Sequence, residues 1–339
     1  MTKRLDWIDV LKGFAMCLVV WGHVFNGYLS ASMFPSYQRL MEVTNDVIYS
    51  FHMPLFFIVS GLLYAYTWKE GQTVWERIKN KLIDVGIMYV IFSCAIWSMK
   101  YVMAGRVQLN RTISIRELLM IPFQPIEYLW FLYVLLGLFI IVPLLKRFLV
   151  RESNIICLFF GIAILANYFD FDSGYWNIYY KIAYYGIFFL LGMWLCAYDQ
   201  QDRLKSRWGI VVSLVTLGVY WWAYSKGIRM ESLVVQIMVA LAPTYLLYYC
   251  IRSMKAECLK RLPLMGRFGR ESLPLYILHV YFLALFRTLL PKMGIYDFTI
   301  NMLLMMVVGL AGPLLMYYVM KKYRYTRFVF HPLQVLKGK

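Results

Sequence analysis

Residues 7–28 read WIDVLKGFAMCLVVWGHVFNGY. A mostly apolar stretch of this length crosses the ~30 Å hydrocarbon core of a bilayer as one α-helix. Three ionisable side chains interrupt it: Asp9, Lys12 and His23. The apolar region of a cleaved leader should not carry such groups, so the stretch reads as a retained first helix. Lys12 and His23 are eleven positions apart. At ~100° and ~1.5 Å per residue they share one face, ~16 Å apart along the axis.

The rest of the chain repeats the pattern. Of 339 residues, 61% are hydrophobic and only 16% are charged, against about a quarter charged in a soluble domain. Apolar blocks predict spans at about 7–28, 45–67, 82–103, 126–145, 153–169, 176–198, 208–225, 232–251, 272–290 and 299–320. The expected fold is an all-α integral membrane protein, a polytopic bundle of about ten transmembrane helices. The span at 153–169 is the shortest. No internal repeat and no long soluble region is visible, so a second domain is not expected.

The net charge of +17 invites a nucleic-acid reading, but Lys and Arg sit in short clusters between apolar blocks and form no groove-reading element. With the N-terminus cytoplasmic, about 24 basic residues fall on the inner side and 10 on the outer side, which places both termini inside. Asn110-Arg111-Thr112 matches a glycosylation sequon, meaningful only in a lumenal loop. The six cysteines show no CxxC and no metal-ligand spacing and read as packing residues.

Ionisable residues inside a span are costly and are functional candidates. Asp9 and Lys12 also fit a plain role as an interfacial pair, and His23 a role as a satisfied bundle histidine. The second span adds Phe51-His52-Met53-Pro54-Leu55-Phe56-Phe57-Ile58-Val59-Ser60-Gly61. Pro54 has no N–H for the carbonyl of Ser50, so a kink is expected there. On this topology His52 and His23 lie at similar depth, and two imidazoles at one depth form a proton-handling site. Ser60-Gly61 also fits close helix packing.

These segments carry a resemblance. Asp9-Val-Leu-Lys12-Gly13, Val20-Trp-Gly-His23 and residues 51–61 are similar to the opening of the acyltransferase family 3 membrane proteins, in particular the fucose and exopolysaccharide O-acetylase branch. Leu129-Trp130-Phe131-Leu132 resembles that family's outer signature at the fourth span. Gly269-Arg-Glu-Ser272-Leu-Pro-Leu-Tyr276-Ile-Leu-His279 resembles the segment opening the ninth. The resemblance implies an acyltransferase-like transmembrane domain over 1–325 and a basic cytoplasmic tail over 326–339. It also implies a multi-pass protein of a cell inner membrane. The implied reaction moves an acyl group, acetyl in the first instance, from acyl-CoA to a hydroxyl of a cell-surface or lipid-linked glycan.

Carried onto this chain, His23 is the catalytic histidine. Lys12 stands where the family often has Arg; it keeps the charge and loses the bidentate fork. Arg77-Ile-Lys79-Asn-Lys81 loosely follows the family's basic pattern after the second span.

The physical reading agrees. An anionic CoA head group would dwell at Lys12, paired with Asp9, and at Arg77, Lys79 and Lys81. The ~16 Å to His23 suits an extended pantetheine arm. His23 would take the acceptor's proton. A carboxylate partner must come from elsewhere, with Asp46 and Glu127 as candidates. His279, two turns into the ninth span and nearer the cytoplasm, and Tyr276 on its face are expected at the donor tunnel, with a structural role as the alternative. His52, Ser60, Glu127 and Trp130 are the acceptor-side candidates. Trp130 also fits the interfacial aromatic belt, as do Tyr175-Trp176 and Trp221-Trp222. Asp170 and Asp172 read as a solvated outer loop.

The expected partners are acyl-CoA as co-substrate, a glycan or lipid-linked sugar and the bilayer, with a homodimer allowed, no nucleic acid, and no tightly bound cofactor. Two other functions compete: a transporter or flippase for an anionic or lipid-linked glycan, and a polysaccharide polymerase. Against the first stands the lack of a repeat and of paired broken helices; against the second, the modest outer loop at about 104–125.

Overall fold

The computed structural model describes residues 5–68, 71–103, 114–149, 151–169, 177–199, 207–228 and 232–338. Residues 110–112, Asp170, Asp172 and Tyr175-Trp176 lie outside the described residues. Among the described residues all regular structure is helical. The elements are α1 (Asp6–Ser30), α2 (Gln38–Tyr66), α3 (Val74–Lys81), a π-helical turn (Leu82–Gly86), α4 (Ile87–Met103), α5 (Ile115–Leu119), α6 (Trp130–Leu145) and α7 (Glu152–Tyr168). They continue as α8 (Asn177–Asp199), α9 (Arg207–Ser225), α10 (Leu233–Arg252), α11 (Ala256–Lys260), α12 (Pro263–Arg270), α13 (Ser272–Lys292), α14 (Phe298–Lys322), α15 (Arg324–Phe330) and α16 (Pro332–Leu336).

Nine helices among the described residues are long and apolar enough to cross a membrane. The chain is an all-α polytopic membrane protein. The expected span at 153–169 is α7, whose 17 residues rise ~26 Å, short of the ~30 Å apolar core. Only closed hydrogen-bonding elements such as helices survive in lipid, which is why apolar runs become helices here without exception.

The chain divides into two compact units, Met1–Thr67 with Gly192–Val319, and Trp68–Leu191 with Met320–Lys339. In the first unit α1 and α2 are central: 67% and 72% of their apolar windows are buried, against 11% for α9. Helix α9 buries only Ser213 and Ala223 and turns Val211, Val212, Val215 and Val219 outward. That is the pattern of a helix facing lipid.

The unexpected element of the first unit is α12. Residues 252–270 read as a basic inner loop, yet Pro263–Arg270 forms a helix lying against α1. Pro263 suits a helix start, where no N–H is needed. Gly266, Phe268 and Gly269 are buried, while Arg267 and Arg270 are exposed. The contact is backbone on backbone. A Cβ on Gly13 would lie 2.0 Å from the carbonyl oxygen of Met265, and one on Gly269 would lie 1.7 Å from that of Asp9. Only glycine fits either position, and small residues are what let helices close up in lipid. The pairs Asp9–Gly269 and Gly13–Met265 run α12 antiparallel to α1. Helix α13 then turns back and runs parallel to α1, since its contacts advance from His279 at His23 to Arg287 at Gly27.

In the second unit a capping box at Thr73 and Glu76 starts α3. The π-helical turn carries Asp84, whose carboxylate accepts the Leu333 N–H at 3.2 Å and so caps α16. Phe330 packs on Phe92, with ring centroids 5.6 Å apart. The C-terminal pair α15–α16 is thereby tied to α4 and the π turn.

Candidate active site

Helix α1 runs unbroken from Asp6 to Ser30, so Lys12 and His23 keep one face and their ~16 Å axial spacing. Lys12 Nζ is 3.5 Å from Asp9 Oδ1, as the i, i+3 spacing predicts. Asp9 is buried, and its main chain rests on Gly269. The ion pair is therefore fixed at the α1–α12 contact rather than left on an open surface.

At the other end of that face, His23 is half-buried, and its ring meets that of His279 edge to face, with centroids 4.9 Å apart. This revises the expected depth of His279. Sequence position put it two turns into its span, nearer the cytoplasm than His23. Helix α12 ends beside Asp9, and α13 rises from there along α1, which brings His279 to the His23 ring.

His279 is fully buried. Its Nδ1–H donates to the Leu275 carbonyl at 3.1 Å. In the neutral ring that leaves the Nε2 lone pair as the basic site. His52 is held alike, with Nδ1–H donating to the Ile48 carbonyl at 2.7 Å. It is buried and within charge–charge range of His23. Pro54 lies inside α2 without ending it. The Tyr276 ring is 6.0 Å from that of His279. Lys12, Asp9, His23, His52, Tyr276 and His279 thus belong to one unit, with the imidazoles of His52 and His279 near His23. Among the described residues no group of three or more His, Cys, Asp or Glu side chains is disposed to hold a metal ion.

The expected carboxylate partners of His23 are engaged otherwise. Asp46 accepts a hydrogen bond from the Tyr224 hydroxyl at 3.1 Å. Glu127 ion-pairs with Lys100 and holds a left-handed backbone, with φ of 52°, uncommon for a residue with a side chain. Ser60 is half-buried on α2. The close approach beside it is made by Gly192, whose Cβ would lie 1.9 Å from the Ile58 carbonyl oxygen.

The second unit holds the remaining candidates. Arg77 is buried, its guanidinium 4.7 Å over the Trp68 ring, with Nη1 donating to Gln72 at 3.4 Å. Lys81 Nζ lies 4.8 Å over Phe139. Arg77 and Lys81 share an i, i+4 face turned inward, while Lys79 is exposed. The face of Trp130 is taken by Lys181 Nζ at 4.7 Å and the Tyr185 ring at 5.3 Å.

Sequence reading missed Tyr49, Asn26, Asn45 and Arg287. Gly22 makes room for the Tyr49 ring, which approaches the position of a Cβ there to 2.8 Å. Arg287 Nη1 donates to the Gly27 carbonyl at 3.0 Å. The available signal was Asn26 and Asn45 as uncharged polar residues inside apolar runs, which are easily passed over beside charged ones.

A family model described as Acyltransferase domain, that of acyltransferase family 3, matches residues 5–318. The chain belongs to this family. It is a multi-pass membrane acyltransferase. No curated protein and no solved structure matches it.

Proposed function

We propose that this acyltransferase moves an acetyl group from acetyl-CoA to a hydroxyl of a cell-surface or lipid-linked glycan at an inner membrane, with His23 as general base. The observation that carries this reading is the pairing of Lys12 and His23 on one face of α1, with His279 against the His23 ring. The acceptor oxygen attacks the thioester carbonyl carbon as a His23 nitrogen takes its proton. The C–O bond forms, the C–S bond breaks, and the imidazolium returns the proton to the CoA sulfur. The products are an ester and free CoA, with no oxidant or further reactant needed. His52 and His279, fixed as Nε2 bases, hold polar partners near the imidazolium as it forms. Lys12 meets a CoA phosphate as a point charge. Arg77 and Lys81 offer cations of the same use in the second unit.

Titration of the purified protein with acetyl-CoA tests the donor site. Saturable binding that weakens in Lys12→Ala and persists in His23→Ala is the expected result. Folded protein that binds neither acetyl-CoA nor longer acyl-CoAs would overturn the reading in favour of glycan transport.

A further inference from the structure

Near the Asn26 end of α1, the first unit gathers hydrogen-bonding groups that proton transfer at His23 does not use. The Asn45 carboxamide donates to Asn26 Oδ1 at 2.6 Å, and Asn26 Nδ2 donates to the Tyr49 hydroxyl at 2.6 Å. The Tyr49 ring stands edge-on to His52, with centroids 4.7 Å apart. It also lies against Gly22, the neighbour of His23. Beside Asn45, Asp46 accepts the Tyr224 hydroxyl, and Trp221 stacks on the Tyr224 ring at 5.7 Å. Hydrogen bonds thus join Asn45, Asn26 and Tyr49, whose ring reaches His52, while Asp46 and Tyr224 pair at the next position of α2.

Two features separate this run from a polar joint between helices. Asn26, Asp46 and Tyr49 are exposed, and such groups on a membrane bundle line a watered opening rather than hydrocarbon. Asn45 is buried, yet among the described residues no donor meets its Oδ1. A buried acceptor left unmet costs ~1–3 kcal/mol, which a hydroxyl reaching it would relieve.

The chemistry narrows the ligand. Carboxamides donate and accept, a carboxylate accepts, and Trp221 with Tyr224 offers aromatic faces to a ring. Sugars present that mixture of hydroxyls and an apolar face. Asp46 puts a carboxylate beside the Tyr224 ring. Arg39 lies 5.8 Å over the Tyr224 ring and 3.8 Å from Glu42, which balances it. Among the described residues no Lys or Arg pairs with Asp46, and Arg287 on the α13 side of α1 is engaged at Gly27.

We propose that this opening is the acceptor subsite and that it takes a neutral, hydroxyl-rich sugar in preference to one bearing a carboxylate or phosphate. The proposal rests on the acyl-transfer reading above. The test follows radiolabelled acetyl transfer to the methyl glycosides of glucose, galactose, mannose, fucose and N-acetylglucosamine, and to those of glucuronic and galacturonic acid. Wild-type protein should use at least one neutral glycoside with kcat/KM about tenfold or more above either uronide. Asp46→Asn and Tyr224→Phe should raise KM for that glycoside about tenfold, with kcat and acetyl-CoA affinity nearly unchanged. Asp46→Asn should also narrow the gap to the uronides. Uronides used as well as neutral sugars, an unchanged KM in both variants, or no transfer to any neutral glycoside by protein that binds acetyl-CoA would overturn the proposal. Failure of the wild type to bind acetyl-CoA would overturn the acyl-transfer reading beneath it.

Discussion

The histidines of the first unit and the inward cations of the second are held by different physics. In the first, histidines, asparagines and Tyr49 are held by directional hydrogen bonds: His52 and His279 to helix carbonyls, Asn26 to Asn45 and Tyr49. In the second, Arg77, Lys81 and Lys181 lie over the faces of Trp68, Phe139 and Trp130. A hydrogen bond fixes a tautomer and an atom position; a cation over a ring keeps its charge and wide freedom of direction. The first arrangement suits proton transfer, which needs atoms in place. The second suits attraction of an anion, which needs only charge of the right sign.

The largest effect should come from the half-buried imidazole. His23→Ala should lower kcat about 10³-fold while acetyl-CoA binding and insertion persist, measured by turnover and titration. Equal activity in that variant would end the contrast between the units.

Next comes the packing that places the histidines. Gly269→Ala pushes a methyl into the Asp9 main chain and should cost about 3 kcal/mol in denaturant unfolding. Gly218→Ala, where a Cβ meets nothing within 4 Å, should be neutral or stabilising by up to about 1 kcal/mol.

His279→Gln should lower kcat about thirtyfold and leave acetyl-CoA affinity unchanged. A variant that instead weakens donor binding at constant kcat would return His279 to the donor tunnel, where its sequence position alone placed it.

Lys12→Ala should weaken acetyl-CoA binding about tenfold, and Lys12→Arg should retain most of it. Lys79→Ala, at an exposed position, should change binding less than twofold, since exposed charges are screened. A larger loss at Lys79 than at Lys12 would move the donor to the second unit.

Much of this was legible beforehand because the bilayer leaves so few options. Apolar length alone identified the spanning helices, and the eleven-residue spacing from Lys12 to His23 survives because α1 is unbroken. Arg77, Lys79 and Lys81 were legible as a cluster, but which of them turn inward depends on where Trp68 and Phe139 lie. Asp46 was legible as an outer carboxylate, while its partner Tyr224 comes from a helix 178 positions away.

By itself, the sequence determined the membrane class and most span boundaries to within a few residues, since hydrophobic length is a local quantity; the start of α2, expected at 45, lies at Gln38. Only the tertiary structure decided that His279 is the ring against His23, and that Asn26, Asn45, Tyr49 and Tyr224 share one opening. The first depends on how α12 and α13 lie on α1, with α12 closing on it at Gly13 and Gly269. Those contacts, Gly13 with Met265 and Gly269 with Asp9, join residues more than 250 positions apart and leave no period or spacing in the chain to read.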